Sequence, residues 1–159
     1  MKHLSLTLAF VLAAVPALAQ DLKQDLTPRQ GWAVHPTDKP YGDLVQAVTA
    51  AIKANGLAVV TQAGPTGAAA RRGITLPGNR VIGAFNNDFA VRILEHSTAA
   101  MIEAPVRFYV TENPDGTATL SYKTPSFVFA PYHGDDTPMA GIAAELDQRF
   151  DAVARAALQ

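Results

Sequence analysis

His133-Gly134-Asp135-Asp136 sets an imidazole and two carboxylates on one glycine-bearing loop. That donor set suits zinc or a hard divalent cation if further ligands arrive from elsewhere, and His35, His96 and Glu103 are the donors the chain offers. The two aspartates also precede a helical pattern, where carboxylates are ordinary because the first turn's amides are electropositive. Capping is therefore the simpler account, and metal binding through His133, Asp135 and Asp136 is the alternative.

Three further groupings have chemical potential. Arg107, Tyr109, Tyr122 and Lys123 lie on the two arms of one hairpin and are expected to share its polar face as a ligand-facing surface. A solvated or dimer-facing sheet would use the same residues. Asn86, Asn87 and Asp88 stand at a strand-to-helix junction, where amide ends can bind an anion, although N-capping explains them equally well. Ser121 or Ser126 could be combined with His133 and Asp135 as a nucleophile triad, yet no Gly-x-Ser-x-Gly elbow exists. Gly64-Pro65-Thr66-Gly67 lacks the Gly-Lys-Ser/Thr of a phosphate loop. No catalytic residue is nominated and no cofactor is expected.

The elements that must position these residues follow from periodicity. Ala104–Lys123 is the clearest: two β-branched and aromatic runs flank Asn113-Pro114-Asp115-Gly116, with Pro114 suited to the first corner of a type I turn and Gly116 to a left-handed end. Val106, Phe108 and Val110 alternate with Arg107, Tyr109 and Thr111, giving one buried face. Before the hairpin come a strand at Gly31–His35 and a helix at Tyr41–Asn55 with its apolar stripe at Tyr41, Leu44, Val45, Val48 and Ile52, started by Thr37 or Asp38. A strand at Leu57–Thr61, a small-residue helical turn at Thr66–Arg72 and a strand at Arg80–Phe85 follow. Phe89–His96 then forms a helix with Asp88 and Arg92 paired four apart. After the hairpin, Phe127, Phe129 and Tyr132 alternate around prolines near the sheet edge. They offer a docking surface, or simply core. Thr137 caps a last helix whose stripe runs from Met139 to Ala157. Trp32 is assigned to packing.

The N-terminus reads as an export signal. Met1-Lys2-His3 is basic, Leu4–Val15 is apolar, and Ala17-Leu18-Ala19 is a small-x-small site, so cleavage is expected after Ala19 and delivery to the periplasm. The apolar run is shorter than the ~20 residues of a bilayer span, so no membrane span is expected after cleavage. Residues 20–31 read as a flexible lead-in and 32–159 as one domain. With 13 basic and 14 acidic side chains and no Lys/Arg cluster, nothing in the chain suits nucleic acid. The absence of cysteine excludes thiol redox chemistry, Fe–S ligation and Cys-based zinc sites.

Several landmarks fall in a familiar order. They are Asn55-Gly56, Gly73-Ile74-Thr75-Leu76-Pro77, Gly83-Ala84-Phe85-Asn86, Glu103-Ala104-Pro105, Asp115-Gly116 and Ser121-Tyr122-Lys123-Thr124-Pro125. From about Trp32 onward the chain resembles the domain of unknown function 302 family. Asn86-Asn87 replaces that family's usual Asn-Pro, and Ala104 its usual Leu. Ala63-Gly64-Pro65 stands where members often carry a histidine, so no role of that histidine transfers. The resemblance implies an α+β fold: a two-layer, single domain with an antiparallel sheet against two main helices, in the order β-α-β-β-α-β-β-α, similar to the TATA-binding protein. It also implies a homodimer and brings no established activity. The expectation for function is thus a non-enzymatic module that binds a small apolar ligand or a protein partner.

Overall fold

The protein is described by a computed structural model over residues 26–159. The expected export signal and the start of the expected lead-in lie outside these residues. The elements are β1 (Trp32–Pro40), α1 (Tyr41–Ala54), β2 (Ala58–Ala63), α2 (Thr66–Ala70), β3 (Asn79–Phe85), α3 (Asn87–Leu94), a 3-10 turn (Ala99–Glu103), β4 (Val106–Glu112), β5 (Thr117–Lys123), α4 (Pro125–His133) and α5 (Thr137–Leu158). The strands form one antiparallel sheet in the order β1-β5-β4-β3-β2. The expected α+β architecture is therefore present, with the hairpin's β4 at its centre.

Local chemistry accounts for the hairpin. Asn113 exchanges backbone hydrogen bonds with Thr117 and Gly116. Asp115 Oδ1 accepts from Thr117 N at 3.0 Å and Thr117 Oγ1 at 2.6 Å, and Gly116 takes φ +84°, a value that favours glycine.

Side chains at alternate positions divide the sheet into two faces. Val106, Phe108, Val110, Leu120, Ile82 and Ala84 are buried against Leu44, Val48 and Ile52 of α1 and Ile142, Leu146, Phe150 and Val153 of α5. Antiparallel sheets commonly keep the second face free of helices. Here that face carries Arg107, Tyr109 and Lys123, alternating with the core residues.

Five local expectations give way. β1 runs past His35-Pro36 to Pro40, and no side chain caps α1. Thr37 is inside the strand, donating to Ala118 O at 2.8 Å. Arg92 turns from Asp88 to Glu145 on α5, making two hydrogen bonds of 2.7 and 2.9 Å, because α3 packs beside α5 and a carboxylate there accepts the guanidinium fork. The aromatic segment after the hairpin is a helix: Pro125 suits its first turn, Thr124 Oγ1 accepts from Phe127 N at 3.3 Å, and Pro131 falls only in the last turn. Asp136, not Thr137, caps α5, its Oδ1 accepting from Met139 N at 3.1 Å.

Candidate functional site

Strand register lays out the uncovered face in rows. Trp32 pairs with Lys123, and one step beyond the Phe108–Tyr122 pair Lys123 comes opposite Arg107, which pairs with Gly83. The next row is Val34, Ser121, Tyr109 and Val81. Glu103 from the 3-10 turn and Val128 from α4 close one end. Together Trp32, Asn79, Val81, Arg107, Tyr109 and Lys123 border a groove of about 370 Å³.

Its polar rim is partly committed. Asn79 Nδ2 donates to Tyr109 Oη at 2.5 Å, holding that ring along the sheet. Tyr132 Oη donates to Glu103 Oε1 at 2.6 Å, while Arg107 lies 4.0 Å from Glu103 Oε2. The Tyr132 phenol is held above its usual pKa, first by that hydrogen bond. Lys123 Nζ lies 5.7 Å from the Trp32 ring centre, and the Arg29 guanidinium lies 4.9 Å from it. Both are within cation–π range.

Tyr122 departs from the expected shared face, although it still contributes to the groove's lining. It lies opposite Phe108, so its ring points to the core and not to the face of Arg107 and Tyr109. It is 5 % exposed, edge-on to Phe108 at 5.3 Å and Phe150 at 5.6 Å, and stacked with His35 at 5.9 Å. The hairpin turn sets this parity, and a pattern of mixed aromatic and polar residues such as Leu120-Ser121-Tyr122-Lys123 leaves it ambiguous. Burial pushes the Tyr122 phenol up to about 12, helped by the Asp151 and Asp147 carboxylates. The folded chain therefore keeps this proton where the unfolded chain, with a value near 10, loses it. Stability from this group is intact below pH 10 and falls as pH rises toward 12. Denaturant titrations across that window should show Tyr122→Phe losing less stability than the parent, by on the order of 2 kcal/mol. Equal losses would show that Tyr122 titrates no differently in the folded core than in the unfolded chain.

The other candidates are dispersed. Asn86 Oδ1 accepts from Asp88 N at 2.9 Å and Phe89 N at 3.1 Å, and Asn86 Nδ2 donates to Gly56 O at 2.9 Å. Asn86 is thus occupied as a cap, while Asp88 stands exposed in the first turn of α3. The apolar cleft beside them holds only about 30 Å³, the share of one water. His133 Nδ1 meets its neighbour's Gly134 O at 2.9 Å, and Asp136 Oδ2 meets His96 Nδ1 at 2.8 Å. The Asp136 carboxyl is held below its usual range, first by the Met139 amide and then by His96. Among the described residues no group of three or more His, Asp or Glu is placed to hold a metal ion. The nucleophile combinations are not assembled either: Ser126 Oγ bonds Thr124 Oγ1 at 3.3 Å, and Ser121 is buried with its hydroxyl unpartnered.

Trp32, Asn79, Val81 and Val128 were not nominated from sequence. Strand pairing alone brings them together, and no local pattern announces it. Trp32 gave the one available hint, as an aromatic at the start of an edge strand.

Comparison with known proteins fits this architecture. The crystal structure of an uncharacterized conserved protein DUF302 from Bacillus stearothermophilus superposes with a TM-score of 0.71, covering 82 % of this chain and all of that one at 16 % identity. That identity supports likeness of fold alone. No curated protein matches the chain. The family model described as "Domain of unknown function DUF302" matches residues 33–157, nearly the whole described chain, and the protein belongs to the DUF302 family.

Proposed function

We propose that this DUF302 protein is an exported, non-enzymatic module that binds a small molecule in the groove on its uncovered sheet face. The observation that carries the reading is the groove itself. Its volume of about 370 Å³ falls within the range of roughly 300–1,000 Å³ usual for small-molecule sites. Aromatic and aliphatic side chains wall it, with a few polar groups at the rim, which is the usual division between affinity and orientation.

Away from the groove, His96 and Asp136 form a hydrogen-bonded pair, and Ser97 Oγ accepts from Ala100 N at 3.2 Å. The leader pattern supports export to the periplasm with cleavage after Ala19, and the family resemblance supports a homodimer. A mature mass beginning at Gln20 in the periplasmic fraction, and twice that mass by light scattering, are the expected results. A retained leader or a monomer mass would remove the corresponding part of the reading.

The groove is tested with the neutral fluorescent probe N-phenyl-1-naphthylamine. Saturable binding with about one probe per chain is expected, weakened several-fold by Val81→Gln, which puts an amide into the apolar wall. Trp32 is the only tryptophan, so its emission should change over the same titration. Non-saturable uptake, or binding indifferent to Val81→Gln, would refute the groove as the site.

A further inference from the structure

The groove carries a charge arrangement that an apolar ligand alone does not explain. Lys123 and Arg107 stand opposite each other on neighbouring strands of the same face. Like charges in that position oppose pairing. Arg107 has one weak relief, Glu103 at 4.0 Å, and Glu103 already accepts the Tyr132 hydroxyl. Among the described residues no carboxylate stands within ion-pair distance of Lys123, whose ammonium rests over Trp32 instead. The walls thus hold two cations and one partly engaged anion, a local excess of one positive charge.

We propose that the groove's ligand is an aromatic monocarboxylate. This rests on the reading of the groove as a small-molecule site and names what that site selects. The carboxylate lies between Arg107 and Lys123, taking the guanidinium's paired donors and the ammonium together. It relieves the cross-strand repulsion between those two cations. The ring lies along Trp32, Tyr109 and Val81, where flat apolar surface is available. A single positive excess matches a monoanion, whereas a phosphate dianion would leave net negative charge beside Glu103. Arg29 lies against Trp32 outside the groove's walls.

The test compares 4-fluorobenzoate with 4-fluorobenzamide, equal in shape and different in charge, by ligand-observed fluorine NMR at low salt with Trp32 emission as a second readout. The acid should bind about tenfold more tightly than the amide. Arg107→Gln and Lys123→Gln should each bring the two ligands within about twofold, the loss falling on the acid and not on the amide. Glu103→Gln should tighten the acid several-fold and not the amide, an effect that a purely structural role would not produce. Added salt should weaken the acid selectively. Equal binding of acid and amide to the unaltered protein would overturn the ligand class while leaving the groove standing. Absence of saturable naphthylamine binding would overturn both. If phenyl phosphate outcompetes 4-fluorobenzoate, the monocarboxylate assignment fails in favour of a dianion.

Discussion

Phe108→Ala should destabilise the protein by about 3–5 kcal/mol, the usual cost of deleting a fully buried phenyl group. Phe108 is fully buried at the middle of β4. Its ring stacks on Phe150 of α5 at 4.3 Å with 14° between planes and meets Tyr122 edge-on at 5.3 Å. Truncation removes transfer energy and leaves a void between sheet and helix. Phe150 and Tyr122, themselves buried, have little room to fill it. Because domains of this size are stable by only about 5–15 kcal/mol, the variant should unfold at a much lower denaturant concentration. Phe108→Leu, which keeps most of the volume, should lose less than half as much. A Phe108→Ala loss below about 1 kcal/mol would mean that the sheet–helix interface is not the cooperative core.

The sheet and this core were legible in the sequence because their signals are local and repeated. The 3.6-residue stripe of Leu44, Val48 and Ile52 and the alternation of Val106, Phe108 and Val110 each fix a buried face without knowledge of the partner. Family landmarks then supplied the order. The groove was less legible because it depends on register. Arg107 and Tyr109 were assigned to the correct face by alternation along one strand, but Tyr122 was not, since side-chain parity on β5 is set across the turn. Asn79, Val81 and Trp32 come from strands remote in sequence. α4 was missed for a different reason: the prolines argue against a helix locally, while Pro125 at the start and Pro131 in the last turn are where a helix tolerates them. The His133 loop drew attention through its composition, yet capping and neighbouring hydrogen bonds engage His133 and Asp136.

Gly31→Ala should cost about 2–4 kcal/mol and should also disturb the groove, because two penalties coincide at the residue just before Trp32. Gly31 has φ +72°, a left-handed conformation that an L side chain adopts at a cost of roughly 1–2 kcal/mol. A Cβ there would also lie 2.1 Å from Phe127 Cγ on α4, well inside contact distance. Phe127 must swing toward solvent or α4 must shift, and Gly31 O, which accepts from Thr124 N at 2.9 Å, ties that shift to the end of β5. Lys123 and Trp32 frame the groove on either side of this junction, so ligand affinity should fall together with stability. Gly73→Ala isolates the first penalty: φ is +74°, and nothing lies within 4 Å of the added methyl. It should cost only about 1–2 kcal/mol and leave groove binding unchanged. Equal losses for the two variants would show that the Phe127 contact yields freely. A Gly31→Ala protein that keeps full probe affinity would separate the α4 junction from the site.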